Sequence, residues 1–228
     1  MQICHGENSL SSDVLNPDIM PLSIAEESLI ESLGNTTTKI AQLAEILREI
    51  LDDMISDRLE GAKNRFQKAV ALFNSCKDSI ESSYVYLAKV STTFSYTAHY
   101  MNLLNNIRNL LQDVYKVLIL VNASLRRMRE NEAFLIQAQK LVDMVISYLK
   151  AVTNYFSALA SKSSKVDETI DSVSKAVNSI ESYVYEILAN GVYDDMHSYV
   201  LSDNLVDLVG SASKLYEALL CLHIAKKG

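Results

Sequence analysis

Between Lys165 and Leu188 the apolar residues fall at Val166, Ile170, Val173, Val177, Ile180, Val184 and Ile187, at alternating spacings of four and three. That spacing is a heptad seam about three heptads long, and it lays one narrow apolar stripe along one side of a helix. Apart from Ala176, the positions between are polar residues or Tyr. A helix of this kind needs other helices to cover its stripe.

The rest of the chain supplies them. Ser23 is placed as an N-cap, Glu26 three residues on completes a capping box, and Gly34 is placed as the C-terminal cap of a short first helix. A second helix is expected from residues 35–38, with Ile40, Leu43, Leu47, Ile50 and Met54 in its stripe. The pattern resumes past Gly61 with Ala62, Phe66, Ala69, Val70 and Phe73. Running through Gly61, this helix would cover about 40 residues and some 60 Å; a break at Gly61 is the competing reading. Ile80, Tyr84, Leu87 and Val90 keep helical spacing, which predicts helix to about Thr97 despite the weak helix formers at 91–93.

From Met101 to Leu125 the stripe is Leu104, Ile107, Leu111, Val114, Leu118 and Val121, and Val117 to Val121 is apolar nearly all round, as in a central core helix. Arg126, Arg127 and Arg129 then precede Glu130-Asn131-Glu132. Cations in a last turn and acids in a first turn both suit the helix dipole, so a tight turn is expected at 127–132. Phe134, Ala138, Leu141, Val145, Tyr148, Val152 and Phe156 mark the next helix, ending near 161–165. After the seam helix, Asn190-Gly191 is a stop, 192–202 is expected as loop, and a last helix runs from about Asp203 through Leu205, Leu208, Val209, Ala212, Leu215, Leu219 and Leu222.

These elements predict an all-α fold: an elongated antiparallel bundle of five to six long amphipathic helices with coiled-coil-like packing. The only two prolines, Pro17 and Pro21, lie in residues 1–21, expected to be a flexible polar arm before a single domain over 22–228. At 228 residues the chain is long enough for a substantial core.

Charge and cysteine usage narrow the functional classes. A net charge of −7 opposes binding to nucleic acid or to an anionic membrane. Cys4, Cys76 and Cys221 form neither a CxxC nor a disulfide framework, which fits a reducing compartment. The start carries no basic and apolar signal segment, so a cytoplasmic location is expected, or export without a cleavable signal peptide. The longest uncharged run, Val90 to Ile107, is too polar to span a bilayer, so no constitutive membrane insertion is expected.

Two motifs touch on metal chemistry. Asp52-Asp53-Met54-Ile55-Ser56-Asp57 has the shape of a DDxxxD box, and Asn178, Ser182 and Glu186 have the spacing of an NxxxSxxxE box. Both shapes resemble those of class I terpene synthases, all-α enzymes; the resemblance implies magnesium and a substrate diphosphate held between two helices by hard oxygen ligands. It covers only these two short motifs. The helical register turns Asn178, Ser182 and Glu186 away from the Val177 and Ile180 stripe, and Asp52 and Asp53 are read opposite Ile50 and Met54. Ser179 also replaces the Asp expected after Asn178. A diphosphate site must line a cavity, so these are read as solvated faces. His5, His99, His197 and His223 form no ligand pair at helical spacing, and His197 beside Asp194 and Asp195 reads as loop material. No catalytic residue, cofactor or metal is therefore expected.

What remains is interaction. The polar faces are rich in Ser, Thr, Asn and Tyr, and Tyr offers large contact area with a polar handle. The candidate partner-binding residues are Tyr84, Tyr86, Tyr96, Tyr100, Tyr183 and Tyr185, with Arg126, Arg127 and Arg129 as a local anion site. The expected partner is a protein, including a second copy of this chain. A membrane-active protein of the translocator or pore-forming type is the alternative.

Overall fold

The computed structural model describes residues 22–93, 95–125, 132–190 and 196–227. Six long helices make up nearly all of it: α1 (Ile24–Ile55), α2 (Leu59–Val90), α3 (Thr97–Ala123), α4 (Glu132–Ala160), α5 (Val166–Asn190) and α6 (Met196–Lys227). Arg126, Arg127 and Arg129, the turn expected at 127–132 up to residue 131, the arm at 1–21 and the Asp194 and Asp195 pair lie outside the described residues.

The capping box forms as the sequence indicates. Ser23 Oγ accepts the Glu26 N–H at 3.2 Å, and Glu26 Oε2 accepts the Ser23 N–H at 3.2 Å. The helix then runs straight through Gly34, which is not a cap. Thr36, Thr37 and Thr38 turn their hydroxyls back to the carbonyls of Ser32, Leu33 and Gly34. Gly34 has another role: a Cβ there would sit 3.3 Å from Phe156 Cβ, so the missing side chain lets α1 and α4 approach closely.

The next break falls at 56–58, not at Gly61. The Asp57 N–H bonds Met54 O, and the Arg58 N–H bonds Asp53 O at 2.7 Å. With Asp57 at φ 58°, this is a Schellman ending to α1. Lys162, at φ 54°, closes α4 in the same way, its successor's N–H bonding Ala158 O. Two more boundaries differ from expectation. α2 gives way to a 3-10 turn at Ser91–Thr93 instead of continuing to Thr97, and the stretch expected as loop is helical from Met196.

Each helix is antiparallel to the one before it. α1 packs between α2 and α4, α3 between α2 and α6, and α5 between α4 and α6, which closes a six-helix ring; α1 also touches α3, and α4 touches α6. The register is fixed by pairs such as Ser32 with Ser83, Phe73 on Tyr115, Lys140 over Tyr183, and Glu181 with Ser213. One end of the bundle therefore gathers the starts of α1, α3 and α5 and the finishes of α2, α4 and α6. The seven seam residues of α5 are all buried, none more than 6% exposed. In α3, Val117, Leu118 and Val121 are buried but Ile119 is 44% exposed, so this helix is a ring member and not a central one.

Glycine placement gives a paired prediction. A Cβ at Gly61 would stand 2.8 Å from Asp53 Oδ2, whereas one at Gly210 meets nothing within 4 Å. Gly210→Ala should stabilise the chain by up to about 1 kcal/mol through helix propensity. Gly61→Ala should lose stability despite the same propensity gain, because it displaces a buried carboxylate. Urea denaturation of the two variants checks both signs.

Candidate functional site

At the end where α1 begins and α6 finishes, Lys226 is only 1% exposed. Its Nζ lies 3.1 Å from Glu26 Oε1, the carboxylate that also completes the capping box. The ammonium stands 4.6 Å from the centre of the Tyr96 ring and 6.0 Å from that of Tyr100. The Tyr100 hydroxyl donates to Glu26 Oε1 at 3.4 Å. Burial pulls the Lys226 ammonium below its ordinary value, and Glu26 opposes that shift. Burial, with Glu26 beside it, drives the Tyr100 hydroxyl well above the usual range. The ammonium faces protein, so this cluster ties helix ends together and presents nothing to a ligand.

A second polar group lies beside it. Asp167, in the first turn of α5, has His223 Nε2 at 3.0 Å and Lys227 Nζ at 2.6 Å from Oδ1. Lys227 holds the Asp167 carboxyl below its ordinary value. The His223 imidazole packs edge-on against Tyr155. The buried Tyr155 hydroxyl has no hydrogen-bond partner among the described residues, and burial pushes it up. Burial lowers His223 below its ordinary value, with Asp167 and Asp171 opposing and Lys227 assisting.

The sign of the pH effect follows. The unfolded chain takes up the His223 proton near pH 6.5, while the folded chain takes it up only at lower pH. Stability should therefore be steady just above 6.5 and fall on acidification below it, by at most about 1.4 kcal/mol per pH unit. His223→Phe should flatten that slope; denaturation between pH 7.5 and 5 measures it.

The six candidate tyrosines have different surroundings. Tyr100 is fully buried and Tyr96 lies under Lys226. The half-buried Tyr86 donates to Ala25 O at 3.1 Å, and Tyr84 donates to Asn105 Oδ1 at 2.6 Å. Tyr183 is covered by Lys140, its ring centre 4.4 Å from the ammonium. Tyr185, by contrast, is 72% exposed. Most of these rings bind neighbouring helices.

The aspartate-rich box is solvated at Asp52 but not at Asp53. Asp52 is exposed, but Asp53 is buried and accepts from Arg58 Nε at 2.9 Å and Arg65 Nη1 at 2.7 Å. Asp53 stands three residues after Ile50, on the same face, so it points inward. Its charge is met by the two guanidinium groups that join α1 to α2, while Asn178, Ser182 and Glu186 are exposed on α5 as expected. Among the described residues no group of three His, Cys, Asp or Glu side chains could hold a metal ion, and no helix is long and apolar enough to cross a membrane. Cys76 is buried, its thiol pushed up to about 11 by burial, and Cys221 is exposed.

Two surface features go beyond the sequence reading, which names only Tyr185 among the residues of the first as a candidate. Near the far end of the α5–α6 pair, Tyr185 and Leu188 are 72% and 43% exposed, and Met196 and Tyr199 are 79% and 63% exposed. Leu188 lines a small crevice together with Ser202, Leu205 and Val206, which puts the end of α5 next to the early turns of α6. The other feature is a set of interhelical grooves. The groove between α1 and α4, about 470 Å³, surrounds Gly34 and Phe156, but its Thr38, Thr153 and Ser161 hydroxyls are committed to carbonyls of their own helices. A groove between α2 and α3 is about 340 Å³. Compared with protein families, with characterised proteins and with solved structures, this chain has no match.

Proposed function

We propose that this chain is a non-catalytic helical interaction module whose partner, another protein or a second copy of the chain, is met at the exposed end of the α5–α6 pair. The supporting observation is the exposure of Tyr185 and Leu188 in the last turns of α5 and of Met196 and Tyr199 in the first turns of α6, at the same end of the pair, beside a seam that is fully buried. Single exposed apolar residues are ordinary, but two pairs spaced i, i+3 at one end of two adjacent helices are not, and exposed apolar surface of this kind is characteristic of interaction sites. Tyr and Met are also side-chain types enriched in interface cores.

The test combines light scattering with capture from the native cell, using the wild-type chain and the variant Tyr185→Ser, Leu188→Ser, Met196→Ser. The wild type is expected to self-associate or to retain a specific protein, and the variant to lose that association with unchanged helical content. Association that survives the three substitutions overturns this surface. A wild-type monomer that captures nothing overturns the interaction reading itself.

A further inference from the structure

α2 and α3 do not close on each other along their whole length. Phe73 stacks on Tyr115 with ring centres 3.8 Å apart and planes 11° from parallel. About three helical turns away, Tyr84 bonds Asn105. Between these two bridges lies the groove of about 340 Å³. Its floor is Ile80 and Leu111, each 2% exposed, and the half-buried rings of Phe73 and Tyr84 supply the apolar surface that stays open. Its rim is Lys77 and Glu81 from α2, and Arg108 and Gln112 from α3.

The rim charges are unequal in their commitments. Lys77 and Glu81 pair with each other at 3.7 Å. The exposed Arg108 guanidinium stands beside the Tyr84 hydroxyl and, among the described residues, has no carboxylate at ion-pair distance. Among the described arginines, Arg48, Arg58 and Arg65 each meet a carboxylate, and Arg108 does not. An arginine without an acid partner above an apolar floor is complementary to an amphipathic anion: the guanidinium fork takes a carboxylate, and the floor takes the apolar body. The volume lies at the lower end of the range for small-molecule sites.

We propose that the α2–α3 groove binds a small amphipathic carboxylate, its apolar chain between the Phe73 and Tyr84 rings over Ile80 and Leu111, and its carboxylate on Arg108. This site lies on different helices from the α5–α6 surface, so the two proposals stand or fall separately.

Sodium decanoate, kept below its micellar concentration, is the probe, and decanol is its uncharged counterpart; titration calorimetry reads the binding. Decanoate is expected to bind saturably at one site per chain, and decanol at least tenfold more weakly. Arg108→Gln, an exposed substitution, should weaken decanoate at least tenfold, and Gln112→Trp should block it by filling the groove from the rim. Lys140→Gln, on α4, should leave it unchanged. Absence of saturable decanoate binding overturns the proposal. So does equal binding of decanol, or decanoate affinity unaltered in Arg108→Gln or in Gln112→Trp.

Discussion

Lys226→Met is expected to cost about 3–5 kcal/mol in unfolding free energy, because it leaves the Glu26 carboxylate without its cation in a buried site. The loss should exceed that for any exposed lysine, such as Lys63, whose pairing with Glu60 is at the surface and worth at most about 1 kcal/mol. The double variant Glu26→Gln, Lys226→Met separates the buried charge from the cap. Gln at position 26 still accepts from the Ser23 N–H, so the capping box survives, and neither charge remains to be desolvated. The double variant should recover most of the loss seen in Lys226→Met alone, and urea denaturation of the three proteins gives the coupling. A double variant as unstable as the single would show that the packing of the lysine stem, not the ion pair, holds this end together.

Val177→Asp should have a still larger effect, at least about 4 kcal/mol, since it places an unpaired carboxylate at a seam position that is 2% exposed. Its neighbour provides the control. Asn178 is exposed, and Asn178→Asp should change stability by no more than about 0.5 kcal/mol. The pair tests helix register directly, because a rotation of α5 by one position would exchange the two results. Far-ultraviolet circular dichroism during thermal unfolding distinguishes them.

Much of the fold was legible because each helix carries its own periodic stripe. The α5 seam, the α4 stripe and the Ser23 capping box depend on residues within a few turns of one another. The features that were not legible depend on distant residues. Gly34 carries a local stop signal, yet Phe156 of α4 gives it an interior role. Asp53 is the exception, since its spacing from Ile50 already puts it on the inner face, and what the spacing does not show is that Arg58 and Arg65 meet its charge there. Lys226 lies in the last turn of α6, and its partner Glu26 is 200 positions away. The Tyr-rich stretches were recognisable as unusual, but composition alone does not separate a ring that grips the next helix, as Tyr86 does, from one left in water, as Tyr185 is. The α2–α3 groove was invisible because it arises from two bridges, at Phe73 and at Tyr84, whose levels only the pairing of the helices sets.

The order of helices around the ring has a consequence for assembly. α1, α2 and α3 form one run of sequential neighbours, α4, α5 and α6 form another, and the two runs meet chiefly where α1 lies on α4 and α3 on α6. A chain severed between Leu125 and Glu132 would yield two fragments whose bared apolar sides fit each other. Mixed in solution, such fragments should reconstitute the whole at a rate set by their concentrations, which makes this fold a natural candidate for a split-protein reporter.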